Sequence, residues 1–200
     1  MRRAFILILL FALPISCMAA DPPRSSLRYK RDLIRIAHTT WGLDAPVSVF
    51  AAQIHQESAW NPLAVSPVGA QGLAQFMPST SSWISGLYDG LRSNDPRNPA
   101  WSMQALITYD IWLWNRIQAA DDCSRMAMAL SGYNGGLGWV YKDQALAKAG
   151  GADRGRWFDQ VERFNAGRSI AAFKENRGYP RNILGKWQPL YATWGGGITC

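Results

Sequence analysis

No stretch of this chain alternates apolar and polar residues with a period of two between hairpin-type turns; apolar residues recur instead at spacings of three and four. That pattern restricts the chain to an all-α (mostly α) fold. Leu27, Ile34 and Ala37 fall on one side of a helix from Leu27 to about Thr40, which Ser25 or Ser26 can cap. Val47, Phe50, Ala51 and Ile54 share one face of the next, with Asp44 as its cap and Pro46 in its first turn. Asn61-Pro62 forces that helix to stop. Further helices are expected from Pro78 to about Tyr88, over residues 99–119, and from Asp121-Asp122 through Leu130 toward Gly132. Another should end near Gly150-Gly151, with shorter ones around 157–164, 169–176 and 179–191. Trp194-Gly195-Gly196-Gly197 reads as a loose end.

The 200 residues, 48% hydrophobic, suffice for one domain with a sizeable core. Residues 1–20 read as a signal peptide: Arg2-Arg3, an apolar run from Ala4 to Leu13, then Pro14 and small residues before Asp21. The run is short for a membrane span. Cys17 lacks the leucine that normally stands three residues before a lipidated cysteine, since Pro14 is there, so membrane anchoring is not expected. The location expected is periplasmic or secreted after leader cleavage. That compartment permits a disulfide between Cys123 and Cys200; equally, Cys123 can be a small buried hydrophobe and Cys200 a frayed end. Two histidines and no metal-ligand cysteine spacing argue against a zinc site, and no cofactor is expected. The net charge of +7 suits a polyanionic partner, but no nucleic-acid motif accompanies it. Of ten tryptophans, most should fill the core and a few line a groove.

One carboxylate stands out. Glu57 closes the stretch Gln53-Ile54-His55-Gln56-Glu57-Ser58-Ala59-Trp60-Asn61-Pro62, at the end of an apolar helix that can hold it still. Its neighbours Ile54, Ala59 and Trp60 offer an apolar surround, and burial raises a carboxyl pKa toward the range where it can donate a proton at neutral pH. Three more ordered blocks follow: Gly72-Leu73-Ala74-Gln75-Phe76-Met77-Pro78, Ser131-Gly132-Tyr133-Asn134-Gly135-Gly136, and Glu175-Asn176-Arg177-Gly178-Tyr179-Pro180. Most glycosidases pair two carboxylates; Asp89, Asp95 and Glu175 are available, but none stands in a setting like that of Glu57.

In type, order and spacing the four blocks resemble the lytic transglycosylase family of the soluble (SLT) type, within the goose-type lysozyme-like superfamily. The resemblance covers about residues 45–185. It implies a lysozyme-like single domain with a substrate cleft over residues 45–190; the residues themselves read as a linker and N-terminal helix over 21–44 and a flexible C-terminal tail over 191–200. It also implies cleavage of the MurNAc–GlcNAc β-1,4 bond of peptidoglycan with 1,6-anhydro-MurNAc ends, Glu57 serving as both acid and base. The substrate-binding residues it implies are Ser58, Ser66, Gln75, Met77, Tyr133, Asn134 and Tyr179, with the Tyr179 hydroxyl reaching the Glu57 carboxyl.

The chain departs from the family pattern at Ala74, where methionine is common, and at Gly132 and Gly135, where alanines are. Ala74 is expected to widen the groove or alter the subsite on the side away from the leaving group, and the glycines to loosen a backbone that Trp139 then steadies. The alternatives are a goose-type muramidase, which hydrolyses the same bond, and a non-catalytic wall-binding subunit. The partner expected is the peptidoglycan glycan strand, in wall recycling, a secretion or pilus assembly, or a phage apparatus.

Overall fold

The computed structural model describes residues 21–200; the expected signal peptide and Cys17 lie outside them. Eight α-helices follow in order: α1 (Arg24–Leu27), α2 (Lys30–Thr40), α3 (Val47–Ser58), α4 (Pro78–Leu87), α5 (Pro99–Trp114), α6 (Asp122–Gly135), α7 (Leu137–Ala149) and α8 (Ile170–Arg181). Two isolated β-bridges, Val65 with Gln71 and Gln71 with Phe76, pinch the loop after α3, and the described residues form no strand. No helix among them is long and apolar enough to cross a membrane.

Helix α3 is the axis of the molecule. All residues from Val47 to Ile54 are buried, packed by α2 on one side and by the segment after α8 on the other. Each fully buried side chain of the size of Phe50, Ile54 or Leu73 contributes about 1.5–3 kcal/mol. The helix ends abruptly because Ala59 (φ 47°) and Trp60 (φ 67°) both adopt left-handed backbone. Such positions cost on the order of 1–3 kcal/mol each. Burial of Trp60 and a 2.7 Å bond from its indole N–H to the Tyr191 hydroxyl offset that cost.

Several helix limits differ from the sequence expectation. The first helix breaks at Arg28-Tyr29, and its buried side is Leu33, Ile36 and Ala37, with Leu27 54% exposed. Helix α5 stops at Trp114, where the N–H groups of Arg116 and Ile117 bond only three residues back, to Leu113 and Trp114, and the Ala120 N–H turns to the Gly155 carbonyl; Tyr141 Oη and Gln144 then bond the Arg116 and Gln118 oxygens. Around 157–164 only a 3-10 turn (Val161–Arg163) forms, held by Arg177, which bonds the carbonyls of Glu162 and Phe164. The two short helices expected at 169–176 and 179–191 are one: α8 carries Pro180 inside it and relaxes into a wider π-helical turn (Asn182–Trp187), then a 3-10 segment (Gln188–Trp194).

The flexible tail expected at 191–200 is a packed segment. Tyr191 and Trp194 are buried against Trp60, the Gly196 carbonyl accepts from both N and Oγ of Ser48, and Gln188 bonds Ile198 through both ends of its amide. Cys200 forms a disulfide with Cys123, at the start of α6. Three glycines in a row allow this close course: an added Cβ at Gly195 would come within 3.0 Å of Val47.

Candidate active site

The end of α3 is tied to the second sequence block. Ser58 Oγ donates to the Leu73 carbonyl (2.8 Å) and lies within 3.3 Å of the Ile54 carbonyl. Ser58 therefore does not line the cleft, in contrast to the expectation; it fastens the loop that does. That loop folds on itself through Ser66, whose N–H donates to the Ala70 carbonyl and whose Oγ accepts from the Ala70 N–H, both at 2.9 Å. Gly72 is required where it stands. Its φ is +79°, and a Cβ would lie 1.7 Å from the Pro96 oxygen. Gln75 (φ 48°) donates its Nε2 to the Gly72 carbonyl (2.9 Å) and the Ala64 carbonyl (3.2 Å), so it braces the loop as well as lining the cavity. Of the five non-glycine residues with positive φ among the described residues, three, Ala59, Trp60 and Gln75, lie around Glu57, and the other two are Asn94 and Asp159.

The third and fourth blocks clasp each other. Asn176 Nδ2 donates to the Ser131 carbonyl (2.9 Å) and to Asn134 Oδ1 (3.0 Å), while its Oδ1 accepts from Ser131 Oγ (2.8 Å) and Arg177 Nη1 (2.6 Å). Gly135 makes room for this, since a Cβ there would meet Asn176 Nδ2 at 2.8 Å. A Cβ at Gly132 would press Leu113 at 3.1 Å. The two glycines are sites of close approach and do not loosen the backbone. Trp139 lies beneath the Arg168 guanidinium instead, 5.1 Å from its centroid. Below, the buried Asp143 carboxylate pairs with Arg168 and, at 2.7 Å, with Arg177.

These loops enclose a cavity of about 360 Å³. Glu57, Ser66, Gln75, Met77, Tyr133 and Asn134 all line it, so six of the eight expected site residues meet there. Tyr179 approaches Glu57 from an adjoining recess and donates its hydroxyl to Glu57 Oε1. The Tyr133 and Tyr179 rings lie parallel, centroids 6.5 Å apart, and the Tyr133 hydroxyl bonds the Ala74 carbonyl at 2.7 Å. The Ala74 side chain itself is fully buried in the core and does not widen the groove.

Glu57 keeps partial exposure to the cavity, yet surrounding protein pushes its pKa up to about 8, chiefly by desolvation. The Tyr179 hydrogen bond acts the other way, and the negative charge of Glu175 adds to the rise. Sequence reasoning missed Phe76, Thr80 and Tyr109 on the cavity wall and set Glu175 aside. Glu175 lines the cavity from α8 and accepts from Asn134 Nδ2 at 3.2 Å. It also missed Asp110, fully buried in α5 beside Gln53 (Nε2 to Oδ1, 3.4 Å), whose carboxyl burial holds well above the usual range. An acid inside the apolar run Ala105–Leu113 was the available signal.

Residues 32–154 match the model of the transglycosylase SLT domain. Among curated relatives, the membrane-bound lytic murein transglycosylase F of Pasteurella multocida is 32% identical over 112 residues, 56% of this chain and 21% of the relative. That of Hahella chejuensis is 30% identical over 141 residues, 68% of this chain and 25% of the relative. The chain thus spans about a quarter, or less, of the length of these relatives. In fold it is similar to the 70 kDa soluble lytic transglycosylase SLT70 of Escherichia coli, with a TM-score of 0.55 and 24% identity over 84% of this chain and 25% of that one. The same enzyme in complex with bulgecin A gives a TM-score of 0.57 over 88% of this chain and 26% of that one. The matched span takes in more than half of the chain and the fold is helical among the described residues: the chain belongs to the transglycosylase SLT domain family.

Proposed function

We propose that this chain is a peptidoglycan lytic transglycosylase that cleaves the MurNAc–GlcNAc β-1,4 bond, with Glu57 as its single acid and base. The observation that carries this reading is the Glu57 carboxyl, opening on a cavity with its Oε1 already occupied as acceptor for Tyr179, and with desolvation pushing its pKa up to about 8. The acidic proton then belongs on Oε2. Glu57 gives it to the glycosidic oxygen, the bond from the anomeric carbon to that oxygen breaks, and the leaving sugar departs with a free hydroxyl. The N-acetyl carbonyl of the muramic acid bonds to the anomeric carbon as an oxazolinium-like species. The Glu57 carboxylate next removes the proton of the 6-hydroxyl, whose oxygen attacks the anomeric carbon and expels the acetamido oxygen. The product is a 1,6-anhydro sugar, water is not consumed, and Glu57 is again an acid. The internal nucleophile has a high effective concentration, which lets it outrun water.

Glu175 supports a second reading. It is a carboxylate on the same cavity, and in a hydrolase it would activate water from across the sugar. Mass spectrometry of the muropeptides released from purified walls separates the two: anhydro ends support the lyase, reducing ends the hydrolase. Release of neither by the intact protein, with wall binding retained, would make this a wall-binding subunit. Action on the wall, from the periplasm or outside the cell after removal of residues 1–20, accords with this proposal.

A further inference from the structure

We infer that Trp83 and Trp112 form a second sugar platform outside the Glu57 cavity, holding a remote saccharide of the same β-1,4-linked, N-acetylated strand. The inference rests on the proposed reaction with glycan strands. Trp60 and Trp157 are fully buried, whereas Trp83, on α4, is 38% exposed. It stands over a hollow of about 280 Å³ between α4, α5 and the start of α7. The nearest rings meet it at steep angles: Trp112 at 86° with centroids 5.1 Å apart, Tyr109 at 74° and 5.7 Å. No aromatic ring lies flat against the Trp83 indole, which leaves it available for the apolar face of a sugar.

Trp112 is the fixed part of the floor. The Arg116 guanidinium sits 4.0 Å from its ring centroid and donates to the Trp112 carbonyl at 3.0 Å. Ser79 and Thr80, in the first turn of α4, border the hollow, and neither hydroxyl bonds another described residue; both can serve sugar hydroxyls. What selects a glycan as the occupant is continuity. Thr80 and Tyr109 line this hollow and the Glu57 cavity alike, so a strand leaving the cavity over those two residues arrives at the tryptophans. The platform is amphipathic in the way a pyranose is: a flat apolar face with hydroxyls at its edge.

The test uses the full chain and two sets of purified peptidoglycan strands, tetrasaccharides and strands several disaccharides longer. Binding is measured by calorimetry on Glu57→Gln, which should hold strands uncleaved, with and without Trp83→Ala. Long strands should bind the Glu57→Gln protein about tenfold more tightly than short ones, and Trp83→Ala should erase that advantage while leaving short-strand affinity intact. Trp83→Ala alone should cleave short strands at the unmodified rate and long strands more slowly. An unchanged long-strand advantage overturns the platform. Equal weakening for both lengths also overturns it, because Trp83 would then act through the shape of the cavity. Absence of strand binding in every variant, with no cleavage by the unmodified protein, removes the proposed function and the platform with it. Cleavage with no length dependence removes the platform alone.

Discussion

Tyr179 donates its hydroxyl hydrogen to Glu57 Oε1 across 122 residues of sequence, joining the end of α3 to the last turn of α8. The bond fixes which carboxyl oxygen is free to act, and it favours the charged form, so it tempers the rise in pKa that burial imposes. Tyr179→Phe should reduce kcat about tenfold or more with little change in KM, because it leaves Glu57 in place but unoriented. It should also move the alkaline limb of the rate profile upward, by about one pH unit for a hydrogen bond to a charged group. A purely structural role for Tyr179 would lower activity without shifting that limb.

The pH dependence of the unmodified protein follows from the same group. In the proposed reaction the first step needs Glu57 protonated, so cleavage should hold to near pH 8 and decline above it. Glu57→Gln should abolish wall clearing at every pH. Its effect on stability has a definite sign. Glu57 binds its proton more tightly folded (about 8) than unfolded (4.5), so between those values the folded state carries the extra proton and stability falls as pH rises. Glutamine has no such dependence. The variant should match the unmodified protein in thermal unfolding near pH 4 and exceed it increasingly up to about pH 8. A constant difference in melting temperature across that range would contradict the assigned shift.

Gly72 gives a test of the loop. Alanine there places a methyl group 1.7 Å from the Pro96 oxygen at a φ of +79°. Backbone must move, and Gln75 and the Ser58–Leu73 bond move with it. Gly72→Ala should destabilise by about 2–4 kcal/mol in urea unfolding and cost activity beyond that loss, since Gln75 and Met77 line the cavity. Gly135→Ala tests the clasp between the third and fourth blocks: its methyl group meets the Asn176 amide at 2.8 Å, and making room breaks the bonds that amide makes to Ser131 and Asn134, so this variant should be destabilised as well.

Much of this was legible in the sequence because it rests on local rules. The 3.6-residue period of Val47, Phe50, Ala51 and Ile54 marks a buried helix, and Asn61-Pro62 marks its end, so the placement of Glu57 follows. Asp121 at a helix start was legible for the same reason, and its Oδ1 accepts from the Ser124 N–H at 2.7 Å. What stayed hidden depends on partners distant in sequence. The chain after α5 is held by Tyr141, Gln144 and the Gly155 carbonyl, and the 157–164 segment by Arg177. Ser58 carries no mark of which way its hydroxyl turns until Leu73 lies beside it. Glu175 and Tyr109 meet across the cavity only because α8 and α5 flank the same end of α6.

The C-terminal segment was read from its glycines as loose, and long-range closure overrules that local signal. Residues 188–198 cover α3, the helix that presents Glu57, and the Cys123–Cys200 disulfide closes a loop with a sequence separation of 77. A crosslink of that span restrains the unfolded chain, and its loss typically costs about 2–5 kcal/mol. Cys200→Ser, or reduction of the intact protein, should therefore lower the melting temperature. The Tyr191–Trp60 hydrogen bond lies well before the crosslink and is independent of it. Wall cleavage at low temperature should accordingly persist in Cys200→Ser and fail only as the temperature approaches the lowered transition. Equal melting curves with and without reductant would show that the packed residues 191–198 hold the end of the chain unaided.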